Sequence, residues 1–158
     1  MVEIIREIQK RDRKKCLGII ITCLNEINSR NYTSEFIKHL VKSYKKNFMN
    51  RREIHTFVFE KEGNILGTGS ISAEGQILDV FVDVKNHRRG IGKKIMKTLE
   101  IEANQKKMKT IFLYSAISAV DFYKNLGYFE MDRLVHKNKD VEIRMEKPLD
   151  KIDSNSLI

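Results

Sequence analysis

The chain contains a single proline in its 158 residues, Pro148, and so has no proline-marked linker between domains. It has only two cysteines, Cys16 and Cys23, seven residues apart. On one helix, at ~1.5 Å of rise per residue, their Cα atoms lie roughly 10 Å apart, beyond the ~7 Å that a disulfide spans. They read as buried free thiols of a reducing compartment. Four histidines are scattered, and neither a Cys-x-x-Cys pair nor another zinc spacing occurs, so no metal site is expected. No apolar run approaches the ~20 residues that span a bilayer. Charges interrupt every part of MVEIIREIQKRDRKK that could serve as a signal-peptide core. No membrane partner and a cytoplasmic location are the expectations.

What is present describes a soluble globular protein. Hydrophobic residues make up 41% and charged residues 32%, and the length suffices for one compact domain with a real core. The formal net charge is +9, concentrated in part between residues 85 and 109, where nine Lys/Arg face only Glu100 and Glu102. A basic surface attracts phosphate-bearing ligands, nucleic acid or acidic membrane, or simply keeps the protein in solution. The aromatic residues sit in apolar strands and helix faces, not interleaved with Lys/Arg as a base-stacking surface requires. No nucleic-acid partner is therefore expected, and a basic nucleic-acid-binding domain is carried only as an alternative.

The apolar spacing predicts the order β-α-α-β-β-β-α-β-α-β-β. A strand at 2–7 precedes a helix marked by Cys16, Ile19, Ile20, Cys23, Leu24 and Ile27, and Thr33 or Ser34 can cap a second. IHTFVFE, ILGTGSIS and QILDVFVDV form a three-strand meander, and TIFLYS is a short buried strand. A final hairpin covers 128–145 and turns at 137–140, and DKIDSNSLI, residues 150–158, reads as a flexible tail. Gly67 and Gly69 lie in a hairpin with the wrong spacing for a dinucleotide fingerprint, and permit a bulge or a close approach instead. The whole is expected to be one α+β domain over 1–149, with helices on both faces of a central mixed, mostly antiparallel sheet.

One segment carries a clear chemical signal. In DVKNHRRGIGKKIMKTL a strand ends, Gly90-Ile91-Gly92 turns, and a basic helix begins. The free N–H groups of a helix start form an anion site whose preferred guest is a phosphate. Glycines at 90 and 92 let a diphosphate approach the backbone, and Arg88, Arg89, Lys93 and Lys94 add positive charge around it.

These residues and a second motif resemble those of the GCN5-related N-acetyltransferases, the GNAT enzymes. His87-Arg88-Arg89-Gly90-Ile91-Gly92 stands where that family has Q/R-x-x-G-x-G/A, and 119–128, AVDFYKNLGY, fits A-x-x-F-Y-x-x-L-G-[FY] at every fixed position. The element order agrees from residue 2 to 149. The resemblance implies a GNAT fold and acetyl-CoA as the acetyl donor. Its diphosphate would sit on the 88–93 amides, with His87, Arg88, Arg89, Gly90, Ile91, Gly92 and Lys93 around it. Its pantetheine arm would lie along the strand end at Phe81, Val82 and Val84, with Ser118 and Phe122 also in contact. The N–H of Val82 is the expected donor to the acetyl oxygen.

The resemblance implies Tyr123 as the general acid for the departing thiolate, a role that suits a phenol, which with pKa ~10 stays protonated at neutral pH. Asp79 is the expected general base, and Glu60, Glu74 and His136 are further candidates. His87 departs from the usual Gln or Arg, and Ala116 stands where many members carry an Asn, a gap that Ser115 or Ser118 could fill. The implied activity is direct N-acetyl transfer from acetyl-CoA to an unidentified amine, small molecule or peptide. A non-catalytic acyl-CoA-binding or sensor module is the main alternative. The positive surplus favours an acceptor that is not itself strongly cationic, and either the 46–59 stretch or the last hairpin could support a homodimer.

Overall fold

Phe57, Val58 and Phe59 are all buried although successive side chains of a strand point to opposite faces, so both faces of this strand are covered. The computed structural model describes residues 2–150. Of the expected tail, 151–158 lies outside them. The elements follow the expected order: β1 Glu3–Glu7, α1 Arg13–Glu26, α2 Ser34–Asn47, β2 Ile54–Lys61, β3 Asn64–Ser72 and β4 Ile77–Val82. Then come α3 Ile91–Gln105, β5 Thr110–Ser115, α4 Val120–Asn125, β6 Phe129–Val135 and β7 Val141–Pro148.

β1 to β4 form an antiparallel sheet in chain order, and β5, β7 and β6 form a second antiparallel sheet with β7 in the middle. The two meet at one parallel bridge, between Gln76 and Phe112 at the starts of β4 and β5. Beyond it the strands run the same way without pairing. Their facing edges leave an open cleft at their C-terminal ends.

The layers on either side hold this gap in place. α3 lies on one face of the first sheet, burying Ile91, Ile95, Met96, Leu99 and Ala103 against Phe57, Phe59 and Ile71. It comes so close that a Cβ at Gly67 would stand 2.8 Å from Ile95 Cδ1, and one at Gly69 would collide with Ile95 Cγ2. The two β3 glycines therefore admit the helix, as the close approach expected of them requires. α1 and α2 cover the opposite face through Cys16, Ile20, Cys23, Leu24 and Ile37, joined by Phe48 just after α2, all packed with Val58 and Ile65. Thr33 caps α2 by accepting the Phe36 N–H, at 3.3 Å.

β4 carries a bulge. Its register against β3 shifts between Thr68 and Ser70, and Asp79 takes φ 58°, a left-handed conformation uncommon for a non-glycine residue. The strand also ends sooner than the apolar run suggests. Asp83 donates its N–H to Leu66 O, at 2.8 Å, and its side chain accepts from Lys85 N, so that Val84 begins a tight turn.

Candidate functional site

The cleft has a volume of about 680 Å³ and runs from the start of α3, between β4 and β5, to the α1–α2 connection. Strand geometry decides which backbone groups face it. Because Asp83 N–H is bonded to β3, the N–H and C=O of its neighbour Val82 point the other way, into the cleft. That carbonyl accepts from Cys23 Sγ at 3.1 Å and lies 2.7 Å from His87 Nε2.

At one end, the turn before α3 coils through two left-handed residues, Arg88 at φ 62° and Gly90 at φ 77°. The first α-helical bond here runs from Lys94 N–H to Gly90 O, so the N–H groups of Ile91, Gly92 and Lys93 have no partner within the helix. The two glycines serve different needs. Gly90 supplies the left-handed turn and has open space where its Cβ would be, whereas a Cβ on Gly92 would stand 3.2 Å from the Phe122 ring. His87, Arg88, Gly90, Ile91, Gly92 and Lys93 all line the cleft, whereas Arg89 turns aside to donate to Asn86 Oδ1, at 3.3 Å. The residues fit a diphosphate: a backbone cradle, no obstructing Cβ and cations around it.

The wall across from β4 comes from β5 and the AVDFYKNLGY segment. Ser118, Phe122 and Tyr123 line it. Tyr123 packs edge-on to Phe122 and Tyr128, with ring centroids 5.0 and 5.9 Å away, and its hydroxyl has no hydrogen-bond partner among the described residues. Burial pushes its phenol up to about 12, which keeps the proton on at neutral pH. Ser118 Oγ accepts from Asn31 Nδ2 at 2.9 Å, tying the wall to the α1–α2 connection.

Phe81 and Val82 line the cleft with Asp79, but Val84 borders a separate shallow hollow beside Arg11, Lys14 and Lys15. The bulge turns Asp79 inward, leaving its side chain 1% exposed. One carboxylate oxygen accepts from Tyr44 OH at 2.9 Å and Arg51 Nη1 at 3.2 Å, and the other pairs with Arg51 Nη2. Asp79 thus meets the cleft through the Tyr44 hydroxyl. Of the further carboxylates, Glu60 is held by Arg6 at 2.7 Å, and neither it nor Glu74 lines the cleft.

Both cysteine thiols are buried and free, and burial pushes Cys16 up to about 12 and Cys23 up to about 11. Neither is a thiolate at neutral pH, so neither is poised as a nucleophile.

Tyr32, Leu40, Tyr44 and Glu142 are among the cleft residues not foreseen as functional. Leu40 and Tyr44 lie in the apolar stripe of α2 and read as core. Glu142 alternates with buried Ile143 on β7 and reads as solvent-facing. Only the lean of α2 against the last hairpin brings them together, since Asp140 accepts both the N–H and the hydroxyl of Thr33, at 2.8 and 2.7 Å. Among the described residues no helix is long and apolar enough to cross a membrane.

The model of the family described as an acetyltransferase (GNAT) domain matches residues 22–149. No curated protein sequence matches significantly. Among solved structures, a GCN5-related N-acetyltransferase from Rhodopseudomonas palustris is similar, with TM-score 0.85 and 17% identity, over 94% of this chain and 97% of that one. The PaiA N-acetyltransferase of Thermoplasma acidophilum, solved in complex with coenzyme A, follows with TM-score 0.79 and 16% identity, over 94% and 99%. Ard1 from Thermoplasma volcanium is similar at TM-score 0.68 and 22% identity, over 94% and 99%.

Proposed function

From the premise that this chain belongs to the GNAT acetyltransferase family and is an acyltransferase, we propose that it moves an acetyl group directly from acetyl-CoA to the nitrogen of an acceptor amine. One observation carries the reading: a single cleft holds a bare helix start flanked by cations, an unpaired strand edge at Val82, and the tyrosine at 123.

Each part has a task in the transfer. The α3 start and Arg88 and Lys93 bind the diphosphate. The open edge of β4 takes the pantetheine arm as an added strand would. The amine nitrogen attacks the thioester carbonyl and forms the C–N bond. The Val82 N–H donates to the oxygen as it becomes an oxyanion, a contact worth ~10²–10³ in rate in comparable sites. When the C–S bond breaks, Tyr123 gives its proton to the departing sulfur. The role proposed for Asp79 is to receive the amine's proton through Tyr44, which passes its own hydroxyl proton on. The raised thiols of Cys16 and Cys23 support direct transfer over an acetyl-cysteine route.

The test is acetyl-CoA-dependent release of free thiol with a panel of primary amines, followed with a thiol-reactive chromophore. Amine-dependent release is expected. Binding of acetyl-CoA with no release for any amine would contradict catalysis and leave an acyl-CoA-binding module.

A further inference from the structure

The charges lining the cleft are sorted by sign. Arg88 and Lys93 stand at the α3 end, and the acids lie further along, Asp79 on β4 and Glu142 on β7. Asp79 is matched in charge by Arg51. Glu142 is not matched by any Lys or Arg: among the described residues its one ion-pair or hydrogen-bond partner is His136, whose Nε2 lies 2.8 Å from Oε1. Its side chain remains 23% exposed, on the cleft wall.

Aromatic rings frame this carboxylate. Tyr32 packs on Phe36 with centroids 4.9 Å apart, and Phe36 packs on His136 at 4.7 Å, so the stack ends at the imidazole that meets Glu142. Burial first, and then the charge of Glu142, raise the Tyr32 phenol. For Tyr44 burial leads, Asp79 follows, and Glu142 adds to the same direction. Both phenols therefore stay neutral, within the field of one carboxylate. Leu40 and Ile27 complete an apolar lining. A carboxylate among aromatic faces and aliphatic walls is a site for an alkylammonium, whose charge the acid pairs and whose carbon chain the walls cover.

The Glu142–His136 contact is not needed to close the β6–β7 turn. Backbone bonds do that, from His136 N to Asp140 O at 2.8 Å and from Lys139 N to His136 O at 2.9 Å. The turn is also fastened to α2 through Asp140 and Thr33. Glu142 is thus an acid held in a defined position on a rigid frame, with a face left toward the cleft.

Resting on the acetyl-transfer reading above, we infer that Glu142, oriented by His136, recognises the acceptor as a primary alkylammonium held on the cleft wall shared with Tyr32 and Tyr44, which gives its first proton to solvent before the neutral nitrogen attacks. The overall surplus of positive charge points away from a cationic acceptor, but the local sign of this end of the cleft is what the acceptor meets. The class selected is a primary amine whose carbon chain carries no carboxylate.

Two probes of equal chain length separate the cases: n-butylamine, and γ-aminobutyrate, which adds a carboxylate at the far end. The wild type is expected to favour n-butylamine about 10-fold or more in kcat/KM. Glu142→Gln is expected to raise KM for n-butylamine about 10-fold with kcat within about 3-fold, and to narrow the preference between the probes. Glu142→Asp, which keeps the charge but retracts it from His136, should fall between. Calorimetric affinity for acetyl-CoA, unchanged in both variants, reports that they are folded. A wild type that acetylates other amines of the panel but neither probe, or a Glu142→Gln KM within about 2-fold of wild type, overturns the assignment and leaves acetyl transfer standing. Failure of the wild type to bind acetyl-CoA removes both.

Discussion

The Nε2 atom of His87 lies 2.7 Å from the carbonyl oxygen of Val82, on the edge of β4 that faces the cleft. Under the proposed function that carbonyl is an acceptor for an amide N–H of the pantetheine arm, so the imidazole occupies a position the donor must take. His87→Ala is expected to tighten acetyl-CoA by about 2- to 10-fold, the worth of one competing hydrogen bond. Calorimetric titration reads this directly. A loss of affinity would instead make His87 a phosphate ligand, as its place in the family motif implies.

Among the described residues Tyr123 has no competing hydrogen bond, and burial pushes its phenol up to about 12. Tyr123→Phe is expected to lower kcat by roughly 10²-fold or more while leaving acetyl-CoA affinity unchanged. The pH profile follows from the sign of the shift. The acid form is the active one and persists up to its raised pKa, so kcat should not fall between about pH 8 and pH 10 through loss of this proton. An alkaline limb that disappears in Tyr123→Phe would contradict the burial of the phenol.

Asp79 and Arg51 form a pair in which the acid is almost wholly covered, and Arg51 also lies over the Phe48 ring, 4.9 Å from its centroid. Arg51→Met leaves Asp79 buried without its counter-charge and is expected to cost about 3–5 kcal/mol of stability. Adding Asp79→Asn should recover part of that loss, as urea unfolding of the single and double variants would show. If Asp79 receives the amine's proton through Tyr44, Asp79→Asn and Tyr44→Phe should each lower kcat. An unchanged kcat in either would end that role.

Asp12 is buried where β1 leads into α1. It accepts from Arg6 Nη1 at 2.7 Å and from the Gln9 N–H at 2.8 Å. The hydrogen bond from Arg6 is the largest cause of its lowered pKa, which the Gln9 N–H lowers further against the opposing effect of burial. A carboxyl depressed in the folded state stabilises it above the unfolded pKa of ~3.9 and loses that contribution as pH falls through the lower folded value. Asp12→Asn is expected to destabilise the protein by about 1–3 kcal/mol at neutral pH and to flatten stability against pH below about 4. Thermal unfolding across that range checks the sign.

The order of the elements and the glycine turn before α3 were legible in the sequence because both are written locally. Apolar spacing marks each strand and helix, and Gly90, Gly92 and the neighbouring cations sit within one short segment. The parting of β4 from β5 was not legible, since TIFLYS looks the same whether or not its edge is paired. The burial of Asp79 depends on a bulge and on Arg51 and Tyr44 from α2 and the loop beyond it, none of them near in sequence. Glu142 escaped notice because strand alternation describes a polar residue beside Ile143 equally well as solvent-facing. Only the docking of α2 on the last hairpin puts it in one cleft with Tyr32 and Tyr44.

The most direct measurement is calorimetric titration of acetyl-CoA into the wild type and into Gly90→Glu, whose new side chain enters the open space before the α3 start. The left-handed backbone there makes some strain inevitable, so the variant's unfolding temperature is measured alongside. The expected result is saturable binding at one site in the wild type, lost in a variant that still unfolds cooperatively. A wild type that binds neither acetyl-CoA nor free CoA would contradict the account at its centre.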